Sequence, residues 1–473
     1  MANAKNSHPR RWYHALGPGL ITACVVIGPG SILTSSKVGA SQGFAVSWVV
    51  IASVIFMLAF TTMAARLGVM GTKSPGEMLT QSAGRWLAVL IGGSVFFIAS
   101  AFQFGNNLGV HTAFNAYWEF EYIVIVFNAA AIAFLFIFKN LYRALEKLMM
   151  GFVALMLVAF AANLSFAAPD LAEWAAGFIP QAKPRLVIEM ALWISLLAIA
   201  YFGREKFWRT AGDSARWKNA FVVILLAILL LWRLGQLGIV STAQAEVDIS
   251  VLGLVGTTFV IAAAYFQVFL VRQKGVQRED LPNTFIDSRV GAILMALITL
   301  MIMGTAAAVL RGQELTGAGE VAKQLQPLFG EWGKALFCIG LFSAAYSSFL
   351  VNSMIGGFVL ADGLGLGSSP DDKWTRYMTA IVLLTGMGVA LYVIQTGVKP
   401  VGAIVMAQAV TVIAAPLMAA ALLWLCNKKE YMGQDRNGPL LNAVGGIGFV
   451  LLLAMAWYTA TAKVWPKVSE WLK

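Results

Sequence analysis

The length of its apolar runs constrains this chain more than anything else in it. Hydrophobic blocks of about 18 to 25 residues recur from one end to the other, each long enough for a helix to cross a hydrocarbon core of roughly 30 Å. No water reaches the backbone inside such a core, so a spanning segment must bond to itself, and the α-helix does so. We place about thirteen segments by apolar run length, at residues 17–40, 44–68, 86–111, 122–138, 145–167, 186–202, 220–240, 251–271, 292–310, 332–360, 380–394, 401–425 and 442–458. The connections are short, so residues 1–473 read as one all-α membrane domain. Charged residues make up 12% of the chain against 59% hydrophobic, too few to keep a soluble surface wet.

Lysine and arginine placement orients the segments. Arg10, Arg11, Arg66, Arg85, Arg143, Arg209 and Arg272 fall on connections that the positive-inside rule assigns to the cytoplasm, with the N-terminal tail 1–16. Glu119, Glu121, Glu246 and Asp248 fall on the outer connections. The expected location is the cell (inner) membrane. The net charge of +11 then reflects topology and contact with anionic membrane lipid. Its basic residues are divided among loops, which argues against a nucleic-acid partner. Cys24, Cys338 and Cys426 lie far apart in apolar runs, without the spacing of a disulfide framework or a metal knuckle. No catalytic or cofactor motif stands in a suitable context, so neither an enzyme nor a bound cofactor is expected, and no resident metal. Nothing in the sequence sets an oligomeric state.

The informative residues sit inside the spans. The first apolar segment, in VIGPGSILTSSK, is interrupted at Gly28, Pro29, Gly30 and Ser31. Proline removes a donor and clashes with the preceding turn, and glycine lowers the cost of unwinding. Two readings follow: a simple kink, or a discontinuous helix whose half-helix ends form a substrate site near the membrane midplane.

At this break the sequence resembles the NRAMP family of metal-ion transporters. GPGLITACVVIGPGS is similar to that family's first helix, and GFAVSWVVIAS with ARLGVMGTKSPGE to its second. LYRALEKLMMGFVALMLVAF resembles the start of the fifth helix, TFIDSRVGAILMALITL the seventh, LFSAAYSSFLVNSMIGGFVL the eighth and VMAQAVTVIAAP the tenth. The resemblance implies a LeuT-type fold of two inverted five-helix repeats, here 17–167 and 249–426, with a final helix at 439–460. It fails over 183–248, where two extra apolar segments read as an inserted hairpin. It also implies a second discontinuous helix, in VGTTFVIAAAYFQVFLVRQ, unwound around Ile261 to Ala263.

The departures from the family bear on the cargo. The positions of its metal-binding Asp, Asn and Met hold Gly28, Ser31 and Val260. Its two histidines on the sixth helix are replaced by Ala262 and Gln267, and the acidic pair taken to carry protons by Gln103 and Asn106. Carboxylate-to-amide changes keep the shape but remove the titratable group. Without the carboxylate, the fixed field at the break comes from the half-helix N-terminus opened by Gly30 and Ser31, which favours an anion. Lys37, seven residues beyond Gly30, is either a snorkelling interfacial residue or a charge that draws anions into the outer vestibule.

The expected substrate site therefore comprises Gly28, Pro29, Gly30, Ser31, Val260, Ile261, Ala262 and Ala263, with Gln408 of the tenth helix either lining it or bonding between helices. Ser343, Ser347 and Ser348 resemble hydroxyls that hold sodium in relatives of the fold, or are small residues at helix contacts; sodium is thus a candidate co-ion. His111 and Glu189 read as interfacial. Three functions are open: a secondary transporter of a small inorganic anion, with bicarbonate the leading candidate; a divalent cation carrier for magnesium or manganese; or a non-transporting membrane scaffold or sensor.

Overall fold

The computed structural model describes residues 17–138, 140–180, 249–315, 317–397 and 415–459. Among these, two short helices open the fold, α1 (Pro18–Val26) and α2 (Pro29–Gln42). They are followed by α3 (Ser47–Met70), α4 (Pro75–Ala83), α5 (Arg85–Asn115), α6 (Ile123–Ile137), α7 (Leu141–Ala167) and α8 (Leu171–Ala176). The second part comprises α9 (Ile249–Thr258), α10 (Ile261–Lys274), α11 (Leu281–Val309), α12 (Ala318–Leu364), α13 (Lys373–Thr396), α14 (Ala415–Asn427), α15 (Lys429–Met432) and α16 (Pro439–Thr459).

Counting α1 with α2 as one bent span, nine described segments are long and apolar enough to cross a membrane, and α6 and α14 are shorter apolar helices. The two remaining expected segments, 186–202 and 220–240, fall outside the described residues, as does Glu189. This is an all-helical integral membrane fold of the LeuT type.

Both broken helices lie at the centre. Every residue of α1 is buried, as are Pro29–Ser36 of α2 and Ile261–Val271 of α10. The outer helices turn apolar side chains outward instead, among them Ile125 on α6, Tyr392 on α13 and Trp457 on α16. Exposed apolar side chains on a spanning helix meet lipid, so they mark the periphery.

Local chemistry explains each break. Pro29 has no N–H, and its ring displaces the carbonyl one turn back, that of Val25. The chain bends 58° there, with Gly28 extended at φ −108° and ψ 178°. The second break holds neither glycine nor proline. It follows Thr257 and Thr258, in a run of weak helix formers, and Val260 leaves helical geometry at φ −85° and ψ 88°. This corrects the expected position: the unwound residues are Phe259 and Val260, while Ile261, Ala262 and Ala263 already form the first turn of α10.

Close backbone approach holds the centre together. Gly109 of α5 accommodates the Pro29 ring, which a side chain at 109 would strike. Gly19 of α1 and Gly291 of α11 meet backbone to backbone. Such glycine contacts are how membrane helices pack tightly without an aqueous driving force.

Candidate functional site

Breaking a helix strands carbonyls at the end of its first half and N–H groups at the start of its second. At the first break the Val25 carbonyl, displaced by Pro29, accepts from Ser348 Oγ of α12 at 3.1 Å. The Val26 carbonyl accepts from Gly28 N at 3.1 Å and from the Ser31 hydroxyl. Ser31 Oγ also lies 3.4 Å from the Thr257 carbonyl at the end of α9, and Thr34 Oγ1 lies 3.3 Å from Thr257 Oγ1. The C-terminal ends of α1 and α9 therefore meet at Ser31, and both ends carry partial negative charge.

A narrow, partly polar cleft opens on this junction. Val26, Gly28, Gly30, Ser31, Phe102 and Asn106 are among its walls. An added Cβ on Gly28 would stand 3.0 Å from Ser348 Oγ and 3.3 Å from Asn106 Oδ1, so both polar tips close on the Gly28 backbone. Ser348 Oγ in turn accepts from Asn352 Nδ2 at 2.8 Å. Among the described residues, every polar group lining this cleft is neutral, and no group of three or more His, Cys, Asp or Glu could hold a metal.

The second break faces a different cleft, lined by Phe102, Phe259, Val260, Ile261, Ala262 and Met418 among others. Its surface is mainly apolar. Ala263 is buried beside it in the first turn of α10.

The remaining expected residues separate. Asn106 faces the first break. Gln103 does not: its side chain packs against Gly386 of α13, and its contact with Asn106 is a long 3.4 Å hydrogen bond. Gln267 is buried on α10, where Oε1 accepts from Thr22 of α1 at 2.7 Å and thereby ties two half-helices together. Lys37 is half-buried on α2 and makes no ion pair with a described residue. His111 is half-buried and lies 3.0 Å from Asn115 Nδ2. Ser343 and Ser347 donate within their own helix, to the Ile339 and Ala344 carbonyls, so of the three serines Ser348 alone bonds to a carbonyl of the first helix. Cys24, Cys338 and Cys426 are buried and free, as expected. Gln408 lies outside the described residues.

Phe102, Thr257, Asn352 and Met418 escaped the sequence reading. Phe102 was accessible to it, because Ile98, Phe102, Gly105, Asn106 and Gly109 form one stripe of α5 at helical spacing. The others stand in no motif.

The match to known proteins extends far beyond the break. The family model described as natural resistance-associated macrophage protein-like matches residues 19–203 and 219–462. The match corrects the expectation that the resemblance fails over 183–248: it takes in both apolar segments read there as an inserted hairpin and omits only 204–218 between them. A divalent metal cation transporter, MntH, of Deinococcus radiodurans is 22% identical over 464 residues, covering 95% of this chain and 90% of the relative. The protein of the same name from Bacillus subtilis is 23% identical over 457 residues, covering 93% and 90%. The crystal structure of the Eremococcus coleocola manganese transporter superposes with a TM-score of 0.70 at 15% identity, covering 97% of this chain and 88% of that one. With a family model matched along most of its length, and with the broken helices in place, this chain belongs to the NRAMP family of membrane transporters.

Proposed function

We propose that this NRAMP-family protein is a secondary transporter that carries a divalent metal cation by alternating access, binding it at the first break with part of its water shell retained. The observation that carries this reading is the junction at Ser31, where the Val26 and Thr257 carbonyls converge beside Asn106 and Ser348. Neutral oxygens and waters suit a hard cation such as magnesium, which keeps its hydration readily. Softer metals gain more from a thioether or imidazole, and Gly28, Ser31 and Val260 offer neither. The curated relatives named above are divalent metal cation transporters, which supports the cargo class. The polar residues and backbone of α1, α2 and α9, with Asn106 and Ser348, hold the cargo; Val260, Ile261 and Ala262 contribute an apolar wall. In this reading the protein lies in the cell membrane with the 1–16 tail in the cytoplasm. Residues 17–167 and 249–426 act as the two repeats.

One observation favours the anion instead. Among the described residues no acidic side chain lines the first cleft, and α2 opens there with the free N–H groups of a helix N-terminus. Ser31 weakens that case, since its hydroxyl donates to the Val26 carbonyl and is not free to donate to an anion.

Reconstitution into proteoliposomes decides between them. Saturable uptake of magnesium or manganese, with no uptake of labelled bicarbonate, is the expected result. Bicarbonate uptake without divalent uptake overturns the cation reading, and no uptake of any of the three supports a non-transporting role.

A further inference from the structure

The clefts at the two breaks share one lining residue among those described, Phe102 of α5. On one side of it lie the Gly28 and Gly30 backbone, Ser31 and Asn106; on the other lie Phe259, Val260, Ala262 and Met418. Phe102 is half-buried, and its helix stripe continues into Gly105 and Asn106 on the polar side and Ile98 on the apolar side. The half-helix ends themselves meet at Ser31 and Thr257, while the two clefts adjoin at Phe102, whose side chain offers no lone pair and no polar hydrogen.

We propose that Phe102 is a specificity-determining residue: its ring partitions the central space and confines the cargo to the polar side. An ion can shed water only where protein groups replace it, and the ring replaces none. Its presence therefore limits both the size of the chamber at the first break and the number of protein ligands that can reach the cargo at once. Removing it joins the chambers and admits larger species. This inference rests on the first break as the cargo site, and not on which ion is carried.

The first test needs no cargo. In a background with Cys24, Cys338 and Cys426 replaced by alanine, Val260→Cys reports on the apolar side through its reaction with a cationic methanethiosulfonate in proteoliposomes. With Phe102 present, labelling should be slow; with Phe102→Ala it should be tenfold or more faster, and with Phe102→Leu it should stay within about twofold of the parent, a contrast in line with pocket-group discrimination. If Phe102→Ala does not fold, Phe102→Val carries the same comparison. Equal labelling with and without the ring, or no labelling in any form, overturns the proposal. The second test measures uptake of magnesium against barium. Phe102→Ala should narrow the preference for the smaller ion by about tenfold or more, and an unchanged preference in a transporting variant overturns the role in specificity. If neither ion is carried by the parent protein, the cargo assignment falls, while the labelling comparison still decides the partition.

Discussion

The Asp287 carboxylate accepts a hydrogen bond from Gly19 N at 2.7 Å, joining α11 to the first turn of α1 across 268 residues of sequence. Its other oxygen accepts from Gly17 N at 2.9 Å. These N–H groups are orphans of the helix start, and a carboxylate there meets the positive end of the helix dipole. Beside it, Lys274 Nζ and Glu146 Oε1 pair at 3.2 Å. One end of α1 is therefore clamped by charge, while the other ends at the cleft.

Asp287→Ala should destabilise the protein by about 1.5–3 kcal/mol, since it leaves two buried donors without a charged acceptor. Asp287→Asn should lose less, because an amide oxygen still accepts one bond. Thermal unfolding in detergent checks both variants, and equal transitions for the alanine variant and the parent would show that the clamp contributes nothing.

Gly28→Asp returns a carboxylate to the cleft. Its backbone conformation is open to any residue, but the new Cβ would lie 3.0 Å from Ser348 Oγ, so that side chain must shift by a few tenths of an ångström. At about 4 Å and an effective dielectric near 20, opposite unit charges attract by roughly 4 kcal/mol per charge pair, an upper bound before desolvation. Manganese affinity should rise at least tenfold in calorimetric titration, and any bicarbonate transport should fall. A fall in divalent affinity in a folded variant would contradict the cation site.

Ser31→Ala removes the hydroxyl that links the carbonyl ends of α1 and α9. The expected loss is about tenfold in uptake kcat/KM, equivalent to roughly 1.4 kcal/mol, and Ser31→Thr should restore most of it. Parent-like transport by the alanine variant would place the cargo elsewhere.

Coupling can be read from ion replacement. Gln103 and Asn106 do not titrate in the physiological range, and two of the three serines are bonded within their own helix. Uptake should change by less than about twofold when sodium is replaced by potassium or when a pH gradient is imposed, a difference below 0.5 kcal/mol. A tenfold response to sodium would restore the serine site, and one to the pH gradient would require a titratable carrier.

The amino-acid order alone determined that this chain crosses a membrane with helices, and that the first of them is broken at Gly28 and Pro29. Both properties are local: the first depends on run length against bilayer thickness, the second on a missing N–H and a ring one turn from a carbonyl. The second break was placed a few residues late because Val260 bears no such signature, and β-branched residues weaken a helix without dictating where it yields. The tertiary structure alone decided what the breaks face. Gln103 and Asn106 are three residues apart, yet one packs on Gly386 and the other on Gly28. Asp287 precedes the 292–310 apolar run, and nothing local in the sequence ties it to Gly17 and Gly19 of the first segment. Ser348 reaches Val25 across 323 residues. Such contacts depend on how helices cross and rotate about one another, and that is settled by the packing of all of them together, so no short stretch of sequence carries it.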